Sequence, residues 1–264
     1  MLNKLLKYDL KYMIRNMCIF YILAIFFAIL TRILSSIDQS VIINIIGKIT
    51  MGCMFSMVAS ILMNTMLRSW IRFNDSLYKD ESYLTHTLPV TKSQLYNSKF
   101  FQTLIFYIFG FIIIVLSLFI AFYSKENWTN ITNFIKTITT GFNMSTAFFI
   151  IMFLLIIFLE VFNAIQCGFL GIILGHKKNN AKVGFSVLFG FITYLISQSI
   201  VLLLVYVYGF FDSTVMELFK TYTINIDVTA FKTLAIISSV LYIIIILLMK
   251  FICIKELKKG VNVE

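Results

Sequence analysis

The sequence predicts an all-α integral membrane protein with six transmembrane helices, an N-terminal interfacial amphipathic helix and a short cytoplasmic helix between spans 2 and 3. Three observations predict it. The chain is 60% hydrophobic and only 13% charged, against roughly 25% charged residues in soluble domains. Its apolar runs are each long enough to cross a hydrocarbon core about 30 Å thick. Lys and Arg also alternate from side to side: 16 of the 22 fall in flanks on one side of the spans and 6 on the other, the asymmetry that marks the cytoplasmic face. In a soluble chain a net charge of +10 would suggest nucleic acid; here it reports topology. One membrane domain over 1–264 accounts for the whole length.

Residues 1–16 read as an element of their own. Leu2, Leu5, Leu6, Leu10, Met13, Ile14 and Met17 recur at helical spacing, while Lys4, Lys7, Lys11 and Arg15 share the opposite face. That pattern describes a basic amphipathic helix lying on the inner leaflet. A cleavable signal peptide is not expected, because charge alternates with apolar residues and no small-residue cleavage site follows. The spans come next, at about 17–37, 44–67, 99–123, 145–174, 183–208 and 231–252. The second is interrupted by Asn44, Lys48 and Asn64, and the fourth, the longest, is expected to tilt. Gly171 and Gly175 have the spacing of close helix packing. Both termini are placed in the cytoplasm by the charge bias. Segments 124–143 and 209–230 then lie outside. The second of these is too apolar for a solvated loop and is expected to dip back toward the membrane.

Segment 68–98 is cytoplasmic on the same count and too long for a turn. Its stretch "DESYLTHTLPVTKSQLYNSKF", residues 80–100, holds the only proline of the chain. Thr91 and Gln94 have capping-box spacing, with Val90 and Leu95 at the staple positions. Pro89 disfavours helix at Leu88, so the helix of span 3 is expected to start near Thr91. Ahead of the proline, "SLYKDESYLTH" has the makings of two to three helical turns, with Leu77, Leu84 and Leu88 on one stripe and Lys79, Asp80, Glu81 and Ser82 polar. A short helix held by a proline corner against the base of a membrane helix can pass a push from a cytoplasmic partner into the membrane.

Several chemistries find no support in the sequence. A phosphate-binding loop needs G-x-x-x-x-G-K-[ST]; "IGKIT" at 46–50 lacks the first glycine, and Ile49 follows Lys48. Cys18, Cys53, Cys167 and Cys253 stand singly in apolar runs, so neither a disulfide framework nor a metal site is expected. His86 and His176 fall in loops, and no H-E-x-x-H occurs. No catalytic residue is assigned. Glu160 is the clear intramembrane carboxylate, a residue type that faces a bundle interior or water. Three roles suit it: contact with a cationic substrate, pairing with a neighbouring Lys or Arg, or a buried hydrogen bond to Asn163. Glu160 and Asn163 are therefore the candidate substrate path.

The stretch "KDESYLTHTLPVTKSQLYNSKF" resembles the (G)DE-x-YL-x-x-TLP-V-x-x-x-Q-L-x-x-SK stretch of bacterial ABC transporter permeases of the ABC-2 type. The opening "MLNKLLKYDLKYMIRNM" is similar to their Leu-Leu-Lys-Tyr-(Asp/Glu) surface helix, and "GFLGIILGHKKNNAK" resembles their small-residue-then-basic inner loop. The N-terminal half is covered well and the C-terminal half loosely. Ser82 departs from the Gly common after the acidic pair, a change a short helix tolerates. The resemblance implies a multi-pass permease in the bacterial cell membrane, an exporter subunit that works as a dimer of identical or related chains. It also implies a coupling helix docking on a separate ATP-binding subunit that carries the ATP and Mg, and a re-entrant element before span 6. Asp80, Glu81, Tyr83, Leu84, His86 and Pro89 are the expected coupling site. A channel or non-transporting sensor that holds a regulatory partner is the alternative.

Overall fold

In the computed structural model, residues 2–37, 41–141, 145–213, 215–216 and 228–260 are described. They form eight α-helices, with no strand among the described residues: α1 (Leu2–Ser35), α2 (Val41–Leu77), α3 (Glu81–Thr87), α4 (Lys92–Phe122), α5 (Lys125–Gly141), α6 (Thr146–Gly175), α7 (Lys182–Gly209) and α8 (Val228–Lys258). Six of them, all but α3 and α5, are long and apolar enough to cross a membrane. This is the architecture of an all-α, multi-pass membrane protein. The expected stretch 209–230 lies mostly outside the described residues. Contacts divide the chain into two compact units, residues 1–129 and 130–262, and α5 carries the chain from one to the other.

In the first unit α1, α2 and α4 pack side by side in layers. Met13 and Met17 meet Phe106, Ala24 meets Ile61 and Ile114, and Ala28 meets Met54 and Ala121. The numbers rise together on α1 and α4 and fall on α2, so α2 runs antiparallel to the other two. The small Ala24 and Ala28 on α1, and Ala121 on α4, let the helices approach closely in the absence of a hydrophobic drive between them. Gly110 serves the same end on α4: a Cβ there would stand 3.1 Å from the Ile61 methyl. The hydroxyls of Thr31, Thr65 and Ser69 donate back to carbonyls one turn earlier at 2.7 Å, which satisfies them away from water.

Two expectations are corrected here. Residues 1–16 are not a separate surface element, because α1 continues unbroken from Leu2 to Ser35. Neither Gly nor Pro interrupts this stretch, and Asp9, Met13 and Met17 are buried in the bundle. On the predicted polar face Lys4, Lys7, Lys11 and Arg15 are exposed, and Ile14, expected on the apolar face, is exposed as well. Nor is "SLYKDESYLTH", residues 76–86, one short helix. Leu77 completes α2, Tyr78 to Asp80 turn, and α3 has only seven residues. At 37 residues, α2 is about 55 Å long and overreaches a 30 Å core.

In the second unit α7 packs on α6 at backbone contact. A Cβ on Gly171 would overlap the Gly190 backbone and fall 2.6 Å from the Ser186 carbonyl oxygen, and one on Gly175 would overlap Ser186. The Gly171–Gly175 spacing is thus used inside the chain, between α6 and α7. Thr193 adds a hydrogen bond from its hydroxyl to the Cys167 carbonyl at 3.2 Å. The reversal between the two helices ends at Ala181, the one non-glycine residue with positive φ (51°) among the described residues. α8 packs mainly on α6 and touches α7 as well. Glu256 near its end pairs with Lys177 and, at 2.6 Å, with Lys259.

Candidate functional site: a buried ion cluster beside the short helix

The inner faces of α1, α2 and α4 turn polar toward one end. On α2 the buried positions pass from Met54 and Ile61 to Thr65, Ser69 and Ser76, with Phe73 and Leu77 among them, and on α4 the first turns bury Ser98, Lys99, Gln102 and Thr103 beside Leu95, Tyr96 and Phe100. Asp9 on α1 shares a face with Met13 and Met17 and enters that polar zone. Its side chain is 4% exposed. The carboxylate accepts from Arg72 Nε at 3.0 Å, from Lys99 Nζ at 2.5 Å and from Ser98 Oγ at 2.6 Å. Arg72 reaches on through Nη1 to Glu81 Oε2 at 2.6 Å, and its guanidinium carbon lies 4.7 Å from the centre of the Tyr12 ring. Two cations and two carboxylates balance: Asp9 and Lys99 are buried together, the pairing that buried charge requires, while Glu81 lies at the outer edge, 52% exposed. Four helices, α1 to α4, meet in it.

α3 is held at both ends. Glu81 in its first turn is bound to Arg72. In its last turn His86 Nε2 lies 3.0 Å from the Leu77 carbonyl, and Nδ1 lies 2.7 Å from Lys92 Nζ. An ammonium has no lone pair, so Nδ1 accepts and Nε2–H donates, and the ring is neutral. Burial lowers the His86 pKa below its ordinary value and the Lys92 charge adds to this, against the hydrogen bond to Leu77. Leu88 is extended, with ψ 142°, as the residue before a proline should be. Thr91 then starts α4 with both halves of the expected capping box: its side chain accepts from Gln94 N–H at 3.2 Å, and Gln94 Oε1 accepts from Thr91 N–H at 3.1 Å.

This leaves a fixed corner with an exposed outer face. Tyr83 is 63% and Leu84 75% exposed, and Leu88 and Pro89 are exposed beside them. Asp80 is also exposed and makes no side-chain cap to α3. Of the sequence-predicted residues, Glu81 and His86 fasten α3 inward, while Asp80, Tyr83, Leu84 and Pro89 face out.

The second polar cluster lies within the other unit. Glu160 on α6 accepts from Tyr194 OH at 3.1 Å and Gln198 Nε2 at 3.2 Å on α7. Tyr242 OH of α8 lies 3.3 Å from Glu160 Oε2 and 3.0 Å from Gln198 Oε1. Asn163 is not its partner. That amide is fully buried and donates to Ser197 Oγ at 2.7 Å. Among the described residues no group of His, Cys, Asp and Glu has the arrangement of a metal site.

Comparison of the chain with protein-family models, with curated proteins and with solved structures finds no match. Asp9, Arg72, Ser98 and Lys99 were missed as site residues by sequence reasoning. One signal was available: Asp9 is the single acidic residue in the first 37, and it falls on the Met13–Met17 face.

Proposed function

We propose that the chain is the membrane-spanning permease subunit of an ATP-driven exporter of the ABC-2 type. It moves an amphipathic cargo such as a peptide, lipid or drug, with ATP and Mg held by a separate ATP-binding subunit. It sits in the bacterial cell membrane with both termini cytoplasmic and works with a second permease copy or a related chain. What supports this reading is a convergence. The stretches that carry the family resemblance contribute Asp9, Ser98 and Lys99, up to 90 positions apart, to one buried cluster, and Glu81 to its exposed edge. That cluster fastens a short helix whose outer face is apolar and exposed.

In this reading Tyr83 and Leu84 are the anchor that enters the ATP-binding subunit, since large apolar side chains dominate such contacts. Asp80 offers a negative charge to a basic groove. Glu81 and Arg72 pass movement of α3 to α1 and α2, and Pro89 makes the corner stiff. Half-buried Glu160 is the group that meets a positively charged part of the cargo, with Asn163 holding α6 to α7 behind it. Lys4, Lys7, Lys11 and Arg15 face anionic lipid headgroups.

The test is purification from mild detergent with mass spectrometry of what accompanies the chain. A stoichiometric ATP-binding subunit is expected with the native chain and is lost with Leu84→Asp, which leaves the ion cluster intact. If that subunit never accompanies the chain, even after crosslinking through residues 80–88, the exporter reading falls and the channel or sensor reading replaces it.

A further inference from the structure

The sequence left 124–143 as a connecting segment, yet residues 125–141 form a helix, α5, of 17 residues. Its joint to α4 is built. Asn127 N–H donates to Ser124 Oγ at 3.0 Å, capping α5, and Asn127 Nδ2 donates to the Phe122 carbonyl at 3.2 Å, closing the end of α4. At 100° per residue, Trp128, Ile131, Phe134 and Ile135 fall within an arc of about 120°. Thr129, Thr132, Asn133, Lys136 and Thr137 take the other side. Trp128, Ile131 and Phe134 are exposed, Phe134 at 68%.

We infer that α5 is an interfacial helix, lying along the lipid surface at the end of α4 opposite α3 with its Trp128–Ile131–Phe134 face in the acyl-chain boundary. Position argues for lipid first. α4 ends at Phe122 and α6 begins at Thr146, and both are apolar enough to cross the membrane, so the segment joining them starts and finishes at one membrane surface. Continuity argues for it second. Exposed Phe119 and Tyr123 at the end of α4 pack with ring centres 4.8 Å apart, and Trp128 lies 6.5 and 6.2 Å from them. The apolar outer surface of a span thus runs without a gap into the apolar face of α5. Trp and Tyr collect at this depth because their rings are apolar with one polar atom. A helix of this length reaches about 26 Å and is half polar, so it lies on the bilayer and does not cross it.

The kind of lipid follows from charge. α5 carries only Lys125, Glu126 and Lys136 as charged residues, a net of one positive charge. Its attachment is therefore apolar, and neutral phosphatidylcholine is enough. The inference does not rest on the exporter reading; it needs only that α4 and α6 span.

The chain contains two tryptophans, Trp70 and Trp128, which gives a direct probe. In full-length protein carrying Trp70→Phe and Trp128→Phe, single tryptophans are placed at 131 and 134, or at 133 and 137, and reconstituted in phosphatidylcholine vesicles with brominated acyl chains. Ile131→Trp and Phe134→Trp should be quenched at least twofold more than Asn133→Trp and Thr137→Trp, with blue-shifted emission. Equal quenching at all four positions overturns the inference. So does blue-shifted but unquenched emission at 131 and 134, which with Phe134→Cys crosslinks between copies would assign the face to a second chain. If the double Trp→Phe chain does not fold, Trp128→Phe alone against the native protein decides. Loss of bromolipid quenching with Trp128 supports the inference, and unchanged quenching overturns it.

Discussion

Asp9→Asn keeps the shape of the side chain and removes its charge. The carboxylate is 4% exposed and Lys99 is 6% exposed, so little water is at hand to replace the lost partner. Breaking a buried pair from one side destabilises by roughly 3–5 kcal/mol. Arg72 keeps Glu81, which puts this case at the lower end, about 3 kcal/mol. At 1.36 kcal/mol per factor of ten, that is roughly two orders of magnitude in the opening equilibrium of the first turns of α1. Hydrogen exchange read by mass spectrometry over residues 2–17 reports such local opening, so exchange there should quicken by about a hundredfold while α6 and α7 are unchanged. The cycle with Lys99→Met separates pairing from packing. The double variant removes both charges and should recover most of the loss, because a buried pair is often no more stable than its apolar replacement. Exchange within a factor of about three of native in Asp9→Asn, or strictly additive effects in the double variant, would refute the claim that Asp9 and Lys99 neutralise one another.

Burial holds His86 below the ordinary value of 6.5, so the unfolded chain takes up a proton the docked helix refuses. Its contribution is complete above about pH 6.5 and is lost as pH falls through the lowered folded value. Exchange over 81–88 should quicken on acidification, with a charged imidazole beside Lys92, and loosening on alkalinisation would contradict the neutral assignment. Gly171→Ala should destabilise by about 1–3 kcal/mol, the usual effect of overpacking. Gly184→Ala, with open space around its Cβ position, is the matched control in thermal unfolding. Ala181→Gly relieves a left-handed φ of 51° and should stabilise by up to about 1 kcal/mol; a lower midpoint would contradict the strain.

The spans were legible because twenty apolar residues in a row have few other uses, and the start of α4 because Thr91, Gln94 and Pro89 are local signals. What was hidden is long-range. Lys99 reads in sequence as one more basic residue flanking a span, and only the packing of α1 on α4 turns it into the buried partner of Asp9. The N-terminal helix misled for a related reason. Its periodicity shows which face is apolar but not whether lipid or protein covers it, and a lone Asp on that face is the sign of protein. Glu160 was found as a carboxylate in a span, but its partners lie on α7 and α8, whose register on α6 no local pattern encodes.

The two polar clusters solve one problem in opposite ways, and the difference bears on what each can do. Around Asp9 every buried charge has an opposite, and a cluster in balance resists any step that separates its members. Moving α3 outward must either break Arg72 from Glu81 or drag α1 and α2 along. Arg72 is fixed by Asp9 and by the Tyr12 ring, whereas its bond to Glu81, 52% exposed, is an outer link worth about 0–1 kcal/mol, so in the proposed exporter α3 moves the other helix ends only as far as that link carries. Around Glu160 the donors are two phenols and an amide, all neutral, and among the described residues no Lys, Arg or His faces the carboxylate. Any charge it carries is solvated by dipoles but not cancelled, and a cation arriving there meets no cation already in place. In the proposed exporter the first cluster would transmit position and the second would receive charge. Glu160→Gln deletes the charge, keeps one oxygen to accept from Tyr194 and Gln198, and turns the other position into a donor to Tyr242 OH, which can itself donate to Gln198; it should leave thermal stability within about 1 kcal/mol while weakening any effect of amphipathic amines on the protein. A large loss of stability would mean that the carboxylate is a structural anion.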